Sequence, residues 1–194
     1  LVDGDNNHRL VTFIGMSTTG TGIQPGSEYW KKYMSETFDS VEEAVEYAAK
    51  ICRRNNIKMV FKPHPDMLIK QSFMDVLNTY EVIIVKDISI DYLIEASDVV
   101  VSMASAVDYK VLMYGKPLIK VGQTGMNEKG CTYEVKQSEQ FEDNLLSAIA
   151  NGQTDEQKYR YVCYVKELLD KYLWDDLEEK SIRYGRGINE NFID

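Results

Sequence analysis

One histidine stands between two prolines in the segment Lys62-Pro63-His64-Pro65. Each proline restricts the backbone at its own position and at the residue before it, so His64 has little freedom to lose when it binds a ligand. The imidazole can donate a hydrogen bond to a phosphate or a sugar hydroxyl, and Lys62 adds positive charge. We take His64 as the candidate catalytic residue and Lys62 and Pro65 as candidate phosphate-site residues. The alternative is a rigid turn that carries an exposed histidine.

A second candidate is the small-residue segment Ser102-Met103-Ala104-Ser105, which follows an apolar run and precedes a helical pattern. Small side chains let a ligand approach the backbone, and the start of a helix offers free N–H groups. Ser102 and Ser105 are therefore candidates for hydrogen bonds to phosphate. The alternative is a plain helix cap at Ser105, with Asp108 closing a capping box.

Two glycine-containing loops offer further polar groups. The first follows the predicted first strand and holds Ser17 and Thr18. It lacks the lysine of a P-loop and does not open a helix as a dinucleotide fingerprint does, so we interpret it as a flexible loop that lines a site. The second loop, residues 122–130, offers Gln123 and Thr124 to a base or sugar, or is an ordinary surface connection.

Other reactive groups are sparse. Cys52, Cys131 and Cys163 are far apart in sequence and form no CxxC pair, so we expect free thiols and no metal site. The only other histidine is His8, in the polar N-terminal stretch, and no Ser-His-Asp triad is identifiable.

The composition limits the partners. The formal net charge is −9, and a broadly acidic surface repels nucleic acid, although a local cradle of N–H groups can still bind a nucleotide. No apolar run approaches the roughly 20 residues of a membrane span, and we expect no signal peptide. We expect a cytoplasmic protein, and peripheral contact with the inner face of the membrane stays open.

Apolar runs alternate with helical patterns along the chain, which predicts parallel βαβ units. The predicted strands cover residues 9–15, 58–62, 80–85, 98–102, 117–121 and 132–135. The predicted helices cover residues 40–55, 68–77, 89–96, 105–114, 138–150, 154–173 and 177–184, with residues 29–38 ambiguous. The strands are near-continuous apolar runs, as in a sheet that is covered on both faces. We predict one α/β domain with a doubly wound, mostly parallel, Rossmann-like sheet: a core over residues 8–150 and a helical extension over 151–194.

Ligands of such sheets bind at the carboxyl ends of the strands, near the point where strand order reverses. All four polar segments described above leave predicted strands at that edge. All four hold groups that can hydrogen-bond an anion.

The order of these segments resembles the C-terminal half of GT-B glycosyltransferases, above all the bacterial capsule and surface-polysaccharide transferases, including the Kdo-transferring type. The resemblance rests on Lys-Pro-His-Pro at 62–65, Leu-Ile-Glu-Ala-Ser-Asp-Val-Val-Val-Ser at 93–102, and Val-Leu-Met-Tyr-Gly-Lys-Pro-Leu-Ile at 111–119. It covers residues 9–150. It implies that His64 and Pro65, with Ser102 and Ser105, lie at a nucleotide-sugar donor site. The family's glutamate in the next helix, which would hold the donor ribose or sugar, is absent here. Asp108 lies one residue from its position and is the candidate donor-binding residue in its place.

The resemblance implies a donor-binding domain that faces an N-terminal acceptor domain across a cleft. A chain of 194 residues has no room for both domains, so we expect a fragment or a separate subunit that is not active alone. The expected partners are a nucleotide-sugar substrate and, through the missing domain, a carbohydrate or glycolipid acceptor, with no cofactor and no metal. The alternatives are a sugar-nucleotide epimerase, a polyol-phosphate transferase domain of the same fold, or a non-catalytic interaction module.

Overall fold

The computed structural model describes residues 9–17 and 20–171, and six strands in them form one sheet. The strands are β1 (Leu10–Ile14), β2 (Lys58–Lys62), β3 (Ile83–Ile84), β4 (Val99–Ser102), β5 (Leu118–Lys120) and β6 (Tyr133–Glu134). Their order is β3-β2-β1-β4-β5-β6, and each neighbouring pair is parallel. The predicted doubly wound, Rossmann-like α/β fold is confirmed, with a sheet that is parallel throughout its six described strands.

Helices follow the strands and cover both faces of the sheet. They are α1 (Glu28–Tyr33), α2 (Val41–Arg54), α3 (Gln71–Thr79), α4 (Ile90–Ala96), α5 (Val107–Met113), α6 (Gln140–Asn151) and α7 (Asp155–Lys171). The helix predicted over residues 177–184 and the tail after it lie outside the described residues.

Each face of the sheet has its own core. On one face, Trp30 of α1, Val45 of α2, Phe73 of α3 and Phe141 of α6 belong to a single buried cluster. The other face buries a smaller cluster, with members in α4, α5 and α7. Alternate residues of the central strands feed the two clusters, as a sheet that is buried on both faces requires.

Helix α2 shows how the sequence sets these elements. Its N-cap Ser40 accepts a hydrogen bond from the Glu43 N–H, and the Glu43 carboxylate reaches back to accept one from the N–H of Asp39, the residue before the cap. At its other end Arg54 and Asn55 both bond Glu142 of α6. These contacts lower the pKa of the Glu142 carboxyl, Asn55 first and then Arg54. The helix is therefore fixed at both ends on its face of the sheet.

The structure differs from the prediction near the β3 edge. Strand β3 has two residues instead of six, because Glu81 adopts a positive φ of 56° and only one neighbour is available to an edge strand. Helix α3 begins at Gln71 and not at Leu68, because the chain first makes a turn in which the Met67 N–H donates to the His64 carbonyl. Leu68 is exposed as a result.

The order of strands reverses between β1 and β4. The terminal residue of β1, Ile14, lies between Lys62 of β2 and Ser102 of β4 in the ladder. The chain segments that leave β1, β2 and β4 therefore emerge side by side at one edge of the sheet. In sheets of this order, this is where ligands bind.

The three cysteines are free and differ in exposure, which predicts different reactivity. Burial raises the pKa of the Cys52 thiol to about 12 and that of Cys131 to about 11, whereas Cys163 is exposed. The thiolate is the reactive species. We expect a thiol-disulfide reagent at about pH 8 to label one cysteine of the native chain, and all three after denaturation. Cys163→Ser should abolish native labelling; fast native labelling that persists in this variant would contradict the assignment.

Candidate functional site

A cleft of about 390 Å³ lies at the reversal point, and we call it the strand-end cleft. Its walls come from the segments after β1, β2 and β4, together with Met34, which follows α1. They are formed by Gly15, Met16, Ser17, Thr21, Met34, His64, Ala104, Ser105, Ala106 and Val107. Three of the predicted site residues, His64, Ser105 and Ser17, are thus brought together from distant parts of the sequence.

The ring of His64 is oriented by its own turn. The Asp66 N–H donates to Nδ1 over 3.2 Å, and the Asp66 carboxylate lies 3.6 Å from the same nitrogen. Because Nδ1 accepts a hydrogen bond, the neutral ring carries its proton on Nε2. His64 lines the cleft, and its neutral ring has this N–H donor available for a ligand.

The His64 turn is also fixed to β1. Gly15 donates its N–H to the Lys62 carbonyl over 2.8 Å. A Cβ at position 15 would lie 3.2 Å from that oxygen and 3.2 Å from the backbone nitrogen of His64. A side chain at Gly15 would push the two segments apart. The close approach explains why the loop after β1 begins with glycine.

The turn between β4 and α5, residues 103–106, presents backbone donors. The Val107 N–H donates to Ser105 Oγ and the Asp108 N–H to the Ser105 carbonyl. Within the described residues, the N–H groups of Ala104, Ser105 and Ala106 have no acceptor. Consecutive free N–H groups at a cleft form a site that favours an anion.

The alternative of a capping box at this turn is wrong. The N-cap of α5 is Ala106, not Ser105, and it makes no side-chain cap. Asp108 turns inward: it is 1% exposed and its carboxylate accepts hydrogen bonds from Ser102 and Lys120. Burial of this carboxylate against an ammonium group takes it out of reach of a cap.

Ser102 is also fully buried, and its Oγ accepts from Lys120 Nζ over 3.0 Å. Neither Ser102 nor Asp108 lines the strand-end cleft. We therefore regard both as supports beneath the turn, and we do not assign them a direct contact with a ligand.

The remaining predicted residues that the structure describes do not line the strand-end cleft. Lys62 donates from Nζ to the Lys86 carbonyl over 2.7 Å, and Pro65 is exposed beyond His64. The Thr124 backbone and hydroxyl both bond Asn127, which closes the loop on itself. Thr18 and His8 lie outside the described residues.

Gln123 lines a second cleft of about 230 Å³, at the ends of β5 and β6. This cleft also contains Glu36, Glu128, Glu134 and Lys136. Lys136 pairs with Glu128 over 3.0 Å, which lowers the pKa of that carboxyl and raises that of the lysine. The second cleft is therefore acidic, and it differs in charge from the strand-end cleft.

Sequence reasoning missed Lys120 and Gly122. Lys120 is the central buried cation of the region, and Gly122 packs so closely that a Cβ would lie 2.5 Å from the Met103 and Met34 carbonyl oxygens. The available signal was the lone lysine in the apolar strand Pro117-Leu-Ile-Lys-Val121. A charge in a strand that is buried on both faces needs a partner.

The fold and the cleft define a Rossmann-like domain of the GT-B type. The chain belongs to the capsule polysaccharide biosynthesis protein family, whose sequence model matches residues 33–164, more than half of the chain. The family resemblance inferred from the sequence is thereby confirmed. No curated protein matches the sequence.

Solved structures share this fold at low sequence identity. A β-Kdo 2,7-transferase, KpsC of Thermosulfurimonas dismutans, is 19% identical with a TM-score of 0.51, and the match covers 80% of this chain and 44% of that one. A UDP-GlcNAc 2-epimerase of Neisseria meningitidis, bound to UDP-GlcNAc, is 11% identical with a TM-score of 0.53, covering 84% and 45%. This chain thus spans less than half the length of either structure.

Residues 9–17 and 20–171 contain neither a membrane-spanning helix nor a cluster of metal-ligating side chains. No helix in them is long and apolar enough to cross a membrane. They also contain no group of three or more His, Cys, Asp or Glu side chains arranged to hold a metal ion.

Proposed function

We propose that this chain is the donor-binding half of a glycosyltransferase that makes capsular or another surface polysaccharide, and that the donor is a nucleotide-sugar. The single observation that carries the proposal is the strand-end cleft, where three free N–H groups of residues 104–106 adjoin the His64 ring. The family assignment supports the same reading. Epimerases share the fold, but a capsule-synthesis family favours transfer of the sugar.

In this proposal the donor phosphates lie against the turn of residues 103–106, and His64 donates from Nε2 to a phosphate oxygen. The acceptor hydroxyl attacks the anomeric carbon, the bond from that carbon to the phosphate oxygen breaks, and its electron pair leaves with the nucleotide. Fixed N–H donors stabilise the charge that develops on the leaving phosphate. The acceptor's proton passes to a base on the other half of the enzyme.

The lining of the cleft limits the expected affinity. Its residues, all of them within the described part of the chain, include no lysine or arginine. The phosphates would be held by neutral donors and by one histidine, so we expect weak binding by the isolated half. We propose that the acceptor domain supplies further contacts, and that turnover requires it.

Calorimetric titration with CMP, CDP and UDP tests the proposed function directly. We expect one of the three nucleotides to bind the folded chain. If none of the three nucleotides gives measurable heat, even at concentrations high enough to detect binding with a millimolar Kd, the proposed function is refuted. A competing interaction-module function predicts that outcome.

Substitution of His64 tests the role of its ring. We expect His64→Ala to raise the Kd of the bound nucleotide by roughly tenfold, because a hydrogen bond to a charged phosphate is lost. His64→Gln and His64→Asn form a matched pair, since the Gln amide nitrogen can reach about as far as Nε2 and that of Asn cannot. Partial recovery by Gln alone is expected. If wild type and the three His64 variants bind the nucleotide with equal affinity, His64 does not contact it.

A further inference from the structure

A buried lysine lies directly beneath the proposed phosphate site. Lys120, near the end of β5, is 1% exposed, and its Nζ donates to three acceptors. These are the Asp108 carboxylate at the start of α5, Ser102 Oγ at the end of β4, over 3.0 Å, and the Met103 carbonyl, over 2.8 Å. One ammonium group on β5 thus contacts the end of β4, the first residue of the turn and the start of α5.

We propose that Lys120 and Asp108 are positioning residues, which hold the turn of residues 103–106 in the shape that binds the donor phosphates. This inference rests on the proposed function and deepens it. Neither side chain lines the strand-end cleft, so each acts through the turn and not by contact with the ligand.

The contacts of the pair explain the free donors of the turn. The Met103 carbonyl accepts from Lys120, and Ser102 Oγ is held between Lys120 and Asp108. The Ser102 hydroxyl and the first carbonyl of the turn are thereby hydrogen-bonded on the buried side. The N–H groups of residues 104–106 are left without acceptors in the described part of the chain.

The Met103 carbonyl is held from a second direction as well. A Cβ at Gly122 would lie 2.5 Å from this oxygen, so the chain just after β5 is packed against it. Lys120 and Gly122 are two residues apart and fix the same atom, one by a hydrogen bond and one by close contact. The turn therefore has little freedom to reorient its N–H groups.

Stability alone does not require an ion pair at this place. Burial lowers the pKa of Lys120, and the charge of Asp108 opposes that shift. Replacing a buried ion pair by apolar residues of similar volume is often neutral or stabilising. The contacts of this pair converge on one turn, and hydrogen bonds are directional. The pair can therefore fix the shape of the turn, which an apolar pair without hydrogen bonds cannot do.

The decisive variant is Lys120→Met/Asp108→Leu in the full chain, which removes both charges and keeps the volume. Its matched control is Arg53→Met/Glu81→Leu, which removes the exposed ion pair Arg53–Glu81, whose residues line neither cleft described above. Binding of CMP, CDP and UDP is compared with binding of cytidine and uridine. The ratio of nucleoside Kd to nucleotide Kd isolates the contribution of the phosphates.

We expect the Lys120/Asp108 double variant to fold, and its Kd ratio to fall by about tenfold while the nucleoside Kd stays within about twofold of wild type. The control pair should leave the ratio unchanged. A double variant that binds nucleotides as tightly as wild type overturns the inference. Equal loss of nucleoside and nucleotide affinity also overturns it, because a general structural defect lowers both.

Amide hydrogen exchange separates this inference from the proposed function. If the wild-type chain binds none of the nucleotides, the proposed function fails. Hydrogen exchange then still tests, without any ligand, whether Lys120 and Asp108 hold the turn in place. The readout is exchange at Val107 and Asp108, whose N–H groups donate to Ser105. Exchange there that is about tenfold faster in the double variant, with β1 and β2 unchanged, supports the positioning role. Unchanged exchange there refutes it. If the double variant does not fold, Ser102→Ala, which removes one acceptor of Lys120, is measured in the same two ways.

Discussion

Lys120→Met alone is expected to lower the free energy of unfolding by about 3–5 kcal/mol. The methionine fills the space but leaves the Asp108 carboxylate, which is 1% exposed, without its ammonium partner. An unpaired buried charge costs far more than a lost surface ion pair. Urea denaturation, followed by far-UV circular dichroism, measures the change.

The matched control is again Lys120→Met/Asp108→Leu, in which no charge is left behind. We expect most of the lost stability to return, so the two substitutions are strongly non-additive in a double-mutant cycle. A single variant within about 1 kcal/mol of wild type would mean that Asp108 finds water or another donor. That result would also weaken the positioning role, since the turn would then tolerate the loss of its central contact.

Gly122→Ala is expected to cost about 1–3 kcal/mol of stability and to weaken nucleotide binding. The added methyl group would lie 2.5 Å from two backbone oxygens, those of Met103 and Met34. Backbone atoms cannot move aside by a simple rotation, as the end of a side chain can. Either the turn of residues 103–106 or the segment after α1 must therefore shift. Both segments line the strand-end cleft.

Gly125→Ala is the matched comparison for Gly122→Ala. Its methyl group would lie 2.6 Å from the Tyr164 hydroxyl, which is the far end of a side chain on α7 and can move. We expect a smaller loss of stability, and recovery of part of it in Gly125→Ala/Tyr164→Phe. If both alanine variants cost the same, the distinction between backbone and side-chain contact fails here.

Much of the fold could be predicted because local signals agree with burial. Lys58–Lys62 was predicted with the bounds that the structure has, since an apolar run ends at Pro63. Helix α2 begins at its predicted cap, Ser40. Helix α3 and strand β3 were misplaced, because the turn after His64 and the pairing available at a sheet edge are not set by local propensity.

The position of the candidate site could be predicted from the sequence. Which of its residues line the cleft and which are buried beneath it could not. Ser102, Ser105 and Asp108 stood close together in sequence and were all assigned to a ligand. The structure separates them: Ser105 lines the cleft, whereas Ser102 and Asp108 are buried under the turn. The inward direction of a side chain depends on the partner it meets, and that partner, Lys120, lies on another strand.

The sequence by itself determined the class of this protein, because alternation of strands and helices and a few short motifs are local properties. It also placed His64 and the Ser102–Ser105 segment at the ends of strands, and parallel pairing makes those ends meet. Only the tertiary structure decided which polar groups face a ligand. Burial and hydrogen bonding between distant segments pair the Asp108 carboxylate with Lys120. Within the described part of the chain, they leave three N–H groups without acceptors in the cleft that His64 also lines.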